Sequence, residues 1–135
     1  MTLLVLFLHL MSMAPSRVKP EDVPSIVEDA NGVAESAEDR FLVSVFAVCE
    51  SAGRPDAVGD SGAAVGALQL HREWWKGHGR DEILSSRPLA MELWLSGLRE
   101  ARKICGSTQS ALGLIAGGKC NARPALVERR MAGKC

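Results

Sequence analysis

The sequence has 135 residues, of which 47% are apolar, and its 16 basic and 16 acidic side chains cancel to a formal net charge of zero. A chain of this size and composition folds as one domain around a single modest core, so a second domain is not expected. No block of like charge stands out, so the chain lacks the basic surface with which proteins bind nucleic-acid phosphates. We therefore expect one domain and no nucleic-acid partner.

Residues 1–14, MTLLVLFLHLMSMA, form an apolar segment at the start of the chain. The segment is too short to cross a bilayer, and it ends in Ser12, Met13 and Ala14, whose spacing is typical of a signal-peptidase site. We interpret it as a signal peptide, which predicts a secreted or periplasmic protein with no stable membrane insertion. No Lys or Arg precedes the segment and His9 interrupts it, so a mis-chosen start codon and a short buried helix are alternatives.

Residues 15–35 are predicted to be a linker followed by a short N-terminal helix. Three prolines and mixed charge between Pro15 and Pro24 favour an exposed, mobile segment. The short helix is expected from Ile26 to Ala34, although Asn31 and Gly32 favour a break within it. The main domain is then expected to span residues 36–135.

Helical spacing is clearest in the segments that follow. Ser36 resembles a helix cap, with Asp39 in a capping-box position before an apolar run. A long helix is predicted from Ser86 to Gly106, with an apolar stripe that includes Met91 and Leu98. Two shorter helices are predicted, and their ranges are Ser107 to Ala116 and Pro124 to Ala132.

The glycine-rich segment from Arg54 to Leu70 is too irregular for a helix and is predicted to be a loop or a small β-hairpin. Together with the helical segments, it predicts a mainly α fold in a single domain, with at most one small hairpin. Loops of this composition carry function more often than framework.

The four cysteines, Cys49, Cys105, Cys120 and Cys135, form an even set, which in an oxidising compartment predicts two disulfides. No CxxC pair is present, so neither a zinc site nor a thioredoxin-type redox motif is indicated. Four cysteines allow three connectivities. We favour Cys120 with Cys135, a short loop that should add about 3 kcal/mol of stability, and Cys49 with Cys105.

Glu50 stands at the end of an apolar helical stripe that begins at Leu42, in a position that the pattern assigns to the core. The neighbouring polar residues Ser44 and Ser51 lie on the other face. Burial of an ionised carboxylate is costly, so the pKa of Glu50 should be raised, as a general acid requires. Alternatively, the helix ends one residue earlier and Glu50 turns into solvent or pairs with Arg54.

Glu50 and Ser51, followed by the loop GDSGAAVGALQL, resemble the superfamily of soluble lytic transglycosylases and goose-type lysozymes. In that superfamily a helix ends in Glu-Ser, and a loop follows with Gly, a small residue, Gly, an apolar pair and Gln. The matching loop residues here are Gly62, Ala63, Gly66, Ala67, Leu68 and Gln69.

The resemblance implies a lysozyme-like fold with Glu50 as the catalytic acid. The acid would protonate the glycosidic oxygen between N-acetylmuramic acid and N-acetylglucosamine, while Ser51, Gly66 and Gln69 would form the sugar-binding wall. We therefore expect a monomeric glycosidase that cleaves peptidoglycan strands in the cell wall and needs no cofactor. The family usually has an Ala-Tyr-Asn-Ala-Gly stretch later in the chain, whereas this sequence has Ile115 and Ala116 at the Tyr-Asn positions. That departure permits an altered substrate or lost activity.

Asp60 is the candidate second carboxylate. Inverting hydrolysis needs a base about 6.5 to 9.5 Å from the acid to hold a water, and the resemblance to goose-type lysozymes implies an assisting aspartate in this loop. Asp60 could equally form an Asx turn, and Asp56 and Asp81 are weaker candidates. Without a base, the C6 hydroxyl of the sugar attacks, as in a lytic transglycosylase. The sequence leaves both reactions open.

Trp74 and Trp75 follow the loop, and an indole ring stacks well on a pyranose. We take Trp74 as a candidate sugar-binding residue, although a tryptophan at such a position is more often part of the core. His71 and His78 lack metal-ligand spacing, so we expect exposed or cleft-edge side chains and no metal. Two other classes stay open: a peptidoglycan-binding module without activity, and a secreted, disulfide-stapled protein with no sugar role.

Overall fold

Most helices and strands of the chain are those that the sequence pattern predicts, and further helices are present at the N-terminus and at residues 80–84. The computed structural model describes residues 1–135 as seven α-helices and one two-stranded antiparallel sheet. The mainly α class with one small hairpin is therefore confirmed. The helices are α1 (Leu3–Ser12), α2 (Val23–Val33), α3 (Ala37–Ser51), α4 (Arg80–Leu84), α5 (Arg87–Cys105), α6 (Thr108–Gly117) and α7 (Pro124–Met131), and the strands are β1 (Val58–Gly59) and β2 (Ala64–Val65).

Helix α3 runs through the centre of the molecule. Its first turn is capped by Ser36, whose Oγ accepts a hydrogen bond from the backbone N–H of Asp39 at 3.1 Å. Every residue from Leu42 to Val48 is buried, because α2, α5 and α7 pack around the helix. The helix ends at Ala52, which adopts the left-handed conformation with φ of 57°.

Helices α5 and α6 form the second part of the core. Ser86 and Ser107, at which these two helices were predicted to begin, cap their first turns, and Gly106 follows α5 in the left-handed conformation. The predicted stripe of α5 faces inward, with Met91 and Leu98 fully buried. The long helix therefore supplies the wall against which α2, α3 and α6 pack.

The short helix predicted in the N-terminal region is present as α2, but it begins three residues earlier than predicted and belongs to the core. Residues 23–33 form a helix whose apolar residues Val23, Ile26 and Ala30 are fully buried between α3 and α5. The segment from Pro15 to Pro24 is mostly exposed, as predicted, but Pro20 and Pro24 lie in the first turns of helices, where a missing N–H costs nothing. The expected break is also absent, since α2 continues through Asn31 and Gly32.

Helix α1 packs on α2 and is part of the same core. Leu6 and Leu10 have no exposed surface, whereas Leu4 on the opposite side is 65% exposed. His9 Nε2 donates to the carbonyl oxygen of Gly133 at 2.9 Å, so the two ends of the chain lie side by side. Residues 1–14 thus pack into the same core as the rest of the chain. Their cleavage as a signal peptide stays a prediction. None of the seven helices combines the length and apolar character needed to span a bilayer.

Two disulfides are present, but the pairing differs from the one predicted. Cys49 pairs with Cys135, and Cys105 pairs with Cys120, with Cα atoms 5.3 and 5.6 Å apart, respectively. The chain turns back along α6, where the N–H of Asn121 donates to the carbonyl of Ser110 at 3.2 Å, and this turn brings Cys120 to the end of α5. The pairing thus depends on tertiary packing that loop length does not reveal.

The two disulfides should differ in their contribution to stability. The Cys49–Cys135 bond spans 86 residues and the Cys105–Cys120 bond spans 15, so loop entropy assigns them about 4.6 and about 3 kcal/mol. We expect Cys49→Ala/Cys135→Ala to lower the free energy of unfolding more than Cys105→Ala/Cys120→Ala does, by roughly 1.5 kcal/mol in urea titrations. Recovery of a Cys49–Cys105 peptide from non-reducing digestion would contradict the connectivity itself.

Candidate active site

A cleft with a cavity volume of about 310 Å³ opens beside the C-terminal end of α3. Helices α3, α5, α6 and α7 form one part of its wall, and the glycine-rich loop with the turn after it forms the other. Glu50 and Asp60 are the two carboxylates in this wall. The other lining residues are Phe46, Ala64, Leu68, Gln69, Leu70, His71, Trp74, Trp94, Ile115, Ala116, Arg123 and Leu126.

Glu50 is the last residue but one of α3, and its carboxyl makes no salt bridge. The residue keeps exposed surface because the cleft is open, yet the surrounding walls displace much of its hydration. This burial raises the pKa of Glu50, since loss of water disfavours the charged form. Arg130 and, less strongly, Arg123 oppose the rise in pKa, and Asp60 adds to it.

The raised pKa agrees with the prediction for Glu50, but the predicted geometry of the helix was partly wrong. Helix α3 is buried on all sides before its end, so the apolar stripe does not select one face. Ser44 and Ser51, which were expected on a solvent face, are both buried. Arg54 does not pair with Glu50, because its Nε donates to the carbonyl of Ser51 at 3.3 Å.

Ser51 joins the end of α3 to the glycine-rich loop. Its hydroxyl lies 2.7 Å from the carbonyl oxygen of Ala67 and 3.1 Å from that of Ala47, and the side chain is buried. Ser51 does not line the cleft. Its contacts therefore favour a structural role in holding the loop beside Glu50, rather than the sugar contact predicted from the sequence.

Gly66 and Gln69 shape the loop from within. Gly66 adopts φ of +81°, and a Cβ there would lie 2.9 Å from the side chain of Ile83, so the turn requires glycine. The Gln69 amide nitrogen donates to the carbonyls of Gly66 and Ala57 at 2.9 and 3.2 Å. Gln69 still lines the cleft, whereas Gly66 does not.

Asp60 and His71 form a contact on the cleft wall. His71 Nε2 lies 3.1 Å from Asp60 Oδ2, and both side chains remain substantially exposed. Asp60 and the next residue, Ser61, both adopt positive φ, of 49° and 57°. Such conformations in residues other than glycine are costly and cluster at functional sites. The loop therefore presents Asp60 to the cleft at the expense of local backbone strain.

Three aromatic side chains give the cleft its apolar walls. Phe46 and Trp94 are almost fully buried, with ring centroids 4.8 Å apart, and each contributes an edge to the cleft. Trp74 is half-buried and packs on Gly97, where a Cβ would collide with its ring. Trp75 lies outside the cleft and donates its indole N–H to the carbonyl of Leu70 at 3.2 Å. One tryptophan of the pair is thus available to a ligand in the cleft.

Residues from the C-terminal third complete the site. Ile115 and Ala116 line the cleft but offer it no side-chain hydroxyl or amide. Arg123, which sequence reasoning missed, also lines the cleft and has a left-handed backbone with φ of 49°. Its Nη1 donates to the carbonyl of Ala116 at 3.4 Å. No local pattern marks Arg123, because its position depends on the turn between α6 and α7.

Four of the six residues predicted to form the site therefore meet in one cleft, namely Glu50, Asp60, Gln69 and Trp74. Comparisons of the chain with protein-family models, with curated proteins and with solved structures found no match.

Removal of the Ser51 hydroxyl should weaken the fold. In Ser51→Ala the buried carbonyl of Ala67 loses its hydrogen-bond donor, which should lower the free energy of unfolding by about 1 to 3 kcal/mol. Chemical denaturation followed by circular dichroism measures this loss. A variant of unchanged stability would show that the hydroxyl does not hold the loop.

Replacement of Glu50 should stabilise the protein in a pH-dependent manner. Because the folded pKa of Glu50 is raised, folding stability from this group is present below the unfolded pKa and is lost as the pH rises through the folded pKa. Glu50→Gln removes the ionised carboxylate, so its Tm at neutral pH should exceed that of the wild type. The difference should disappear near pH 4, where the unfolded carboxyl is also protonated. A difference in Tm that does not vary with pH would contradict the raised pKa.

Proposed function

We propose that this protein cleaves the glycan strands of peptidoglycan at the β-1,4 bond between N-acetylmuramic acid and N-acetylglucosamine, with Glu50 as the general acid. The observation that carries the proposal is the position of Glu50, on a rigid helix end in a cleft that raises its pKa. A carboxyl with a raised pKa keeps its proton to higher pH, which favours its use as a general acid that protonates a glycosidic oxygen.

The shape and lining of the cleft support a saccharide as the substrate. Trp74, which is half-buried, offers apolar ring surface on which a pyranose can stack, and the largely buried Phe46 adds to the apolar lining beside Glu50. The loop around Asp60 also provides a carboxylate and, through His71, a ring nitrogen for hydroxyl groups. The resemblance of Glu50, Ser51 and the following loop to lytic transglycosylases and goose-type lysozymes narrows this saccharide to peptidoglycan.

We favour the lytic transglycosylase reaction. In its first step Glu50 donates its proton to the glycosidic oxygen while the bond between that oxygen and C1 of N-acetylmuramic acid breaks. In its second step the C6 hydroxyl of the same sugar attacks C1 and passes its proton to the Glu50 carboxylate, which restores the acid. The product is a 1,6-anhydro end. Activation of a water by Asp60 would instead give hydrolysis and a reducing end.

The disulfides agree with an extracellular site of action. Structural disulfides persist in secreted and periplasmic proteins and are rare in reducing compartments. Both bonds tie elements of the cleft wall: one joins the end of α3 to the C-terminus, and the other joins α5 to the segment between α6 and α7. We therefore propose that the protein acts as a monomer outside the cytoplasm, at the cell wall.

A second candidate function is a peptidoglycan-binding module without activity. The observation that favours it is the apolar wall at Ile115 and Ala116, which provides no side-chain hydrogen bond to orient the acid or the substrate. In this case the cleft would bind the glycan strand, and Glu50 would not transfer a proton.

The variant Glu50→Gln separates the two functions. A general acid typically accelerates a reaction at least 100-fold, so we expect this variant to clear suspensions of purified cell walls about 100-fold more slowly than the wild type. The matched control is Glu92→Gln, which neutralises an exposed glutamate of α5 outside the cleft and should leave clearing unchanged. Mass spectrometry of the soluble products then distinguishes 1,6-anhydro ends from reducing ends.

Equal, low clearing by the wild type and Glu50→Gln would reject the enzymatic function. Retention of both proteins on insoluble peptidoglycan would then support the binding module. Failure of both proteins to bind would leave neither proposal standing.

A further inference from the structure

Arg130 of α7 is a buried cation beside the cleft. It is only 7% exposed, and its guanidinium carbon lies 5.8 Å from the ring centroid of Phe46, which lines the cleft. Its Nη1 donates to the carbonyl of Cys135 at 2.6 Å and to that of Lys134 at 3.3 Å. Its Nε has no hydrogen-bond partner. The backbone of the C-terminal tail therefore supplies all the hydrogen bonds of this charge.

Arg130 is also the positive charge that acts most strongly on Glu50. It favours the ionised carboxylate and opposes the effect of burial on the pKa of Glu50. Conversely, burial lowers the pKa of Arg130, and the negative charge of Glu50 opposes this effect. Nevertheless the two side chains form no salt bridge. The cation is close enough to influence the carboxyl but is held at a distance from it.

The tail that anchors Arg130 is covalently fixed next to Glu50. Cys135 is bonded to Cys49, the residue directly before Glu50 in the chain. The carbonyls of Lys134 and Cys135 are therefore held in register with the end of α3. Without this bond, only non-covalent contacts would hold the two carbonyls that accept hydrogen bonds from Arg130 beside the end of α3.

We propose that Arg130 is a positioning residue for the reaction proposed above, and that the tail fixed by Cys49–Cys135 holds its guanidinium away from a direct ion pair with Glu50. The proposal rests on Glu50 being the general acid. At a distance, the cation stabilises the carboxylate that forms once the proton has been transferred. In direct contact it would favour ionisation of the resting acid and remove the proton that the reaction needs.

Other charges around Glu50 come from several elements. Arg123, before α7, acts in the same direction as Arg130, and Asp60 acts in the opposite direction from the glycine-rich loop. His71 faces the cleft beside Asp60. The charges of Arg129 and Arg17 oppose the protonated state of Arg130. Among these groups, only Arg129 is hydrogen-bonded to Cys135. Its Nε donates to the carbonyl of Cys135 at 3.2 Å.

The test is an NMR titration of the ¹³C-labelled Glu50 carboxyl in the full chain, with the pH–rate profile of cell-wall clearing as a second readout. In Arg130→Met the cation is lost, so the pKa of Glu50 should rise and the alkaline limb of the profile should move to higher pH. In Cys49→Ala/Cys135→Ala the guanidinium is free to pair with Glu50. The pKa of Glu50 should therefore fall, and the alkaline limb of the profile should move to lower pH. The combination of all three substitutions should behave as Arg130→Met does.

Matched variants separate charge, anchoring and general loss of stability. Cys105→Ala/Cys120→Ala removes the other disulfide and leaves the tail bonded to α3, so it should shift the Glu50 titration much less than Cys49→Ala/Cys135→Ala does. Arg130→Lys retains the charge and should retain most of the wild-type profile. If circular dichroism shows that Arg130→Met does not fold, Arg130→Gln replaces it, because its amide still donates to the tail carbonyls without a charge.

An unchanged Glu50 titration in Arg130→Met or Arg130→Gln would overturn the role of Arg130. Equal titrations in the two disulfide variants, or an upward shift in Cys49→Ala/Cys135→Ala, would overturn the role of the tail. Failure of the proposed function has a different outcome: the titrations would shift as expected while Glu50→Gln cleared cell walls as fast as the wild type.

Discussion

The site depends on how the two neighbours of Glu50 are bonded. Cys49 is joined covalently to Cys135, and the hydroxyl of Ser51 lies 2.7 Å from the carbonyl of Ala67 in the glycine-rich loop. Three consecutive residues thus connect the central helix, the C-terminal tail and the opposite wall of the cleft. Since α3 is closely packed along its length, its end cannot shift without disturbing the core. The carboxyl owes its position to the bonds of its neighbours and makes no hydrogen bond within the protein.

The same arrangement explains how a strained loop persists beside the acid. Asp60, Ser61 and Gln69 all have positive φ, and each such residue costs on the order of 1 to 3 kcal/mol unless its surroundings compensate. The contacts of Ser51 with Ala67 and of the Gln69 amide with two loop carbonyls provide that compensation. Several of the polar groups that the loop carries therefore maintain its shape, and fewer are left to meet a ligand.

The sequence predicted local features better than those that depend on the whole chain. The helix starts at Ser36, Ser86 and Ser107 were predicted correctly, because a helix start is determined within one helical turn. The disulfide pairing was predicted wrongly, since it depends on how α6 and α7 fold back. Glu50 was proposed as a site residue from a motif along one segment, and it lines the cleft. Arg130 was missed, because only the assembled tail brings it near the cleft.

The contact between His9 and Gly133 means that the two ends of the chain are neighbours in space. The helices could therefore be connected in a different order along the chain and still pack in the same arrangement around the cleft. A short bridge could connect the old ends, and new ends could open in the exposed turn at Gly77. Such a circular permutant would keep every layer of the core, since exposed turns tolerate cuts of this kind.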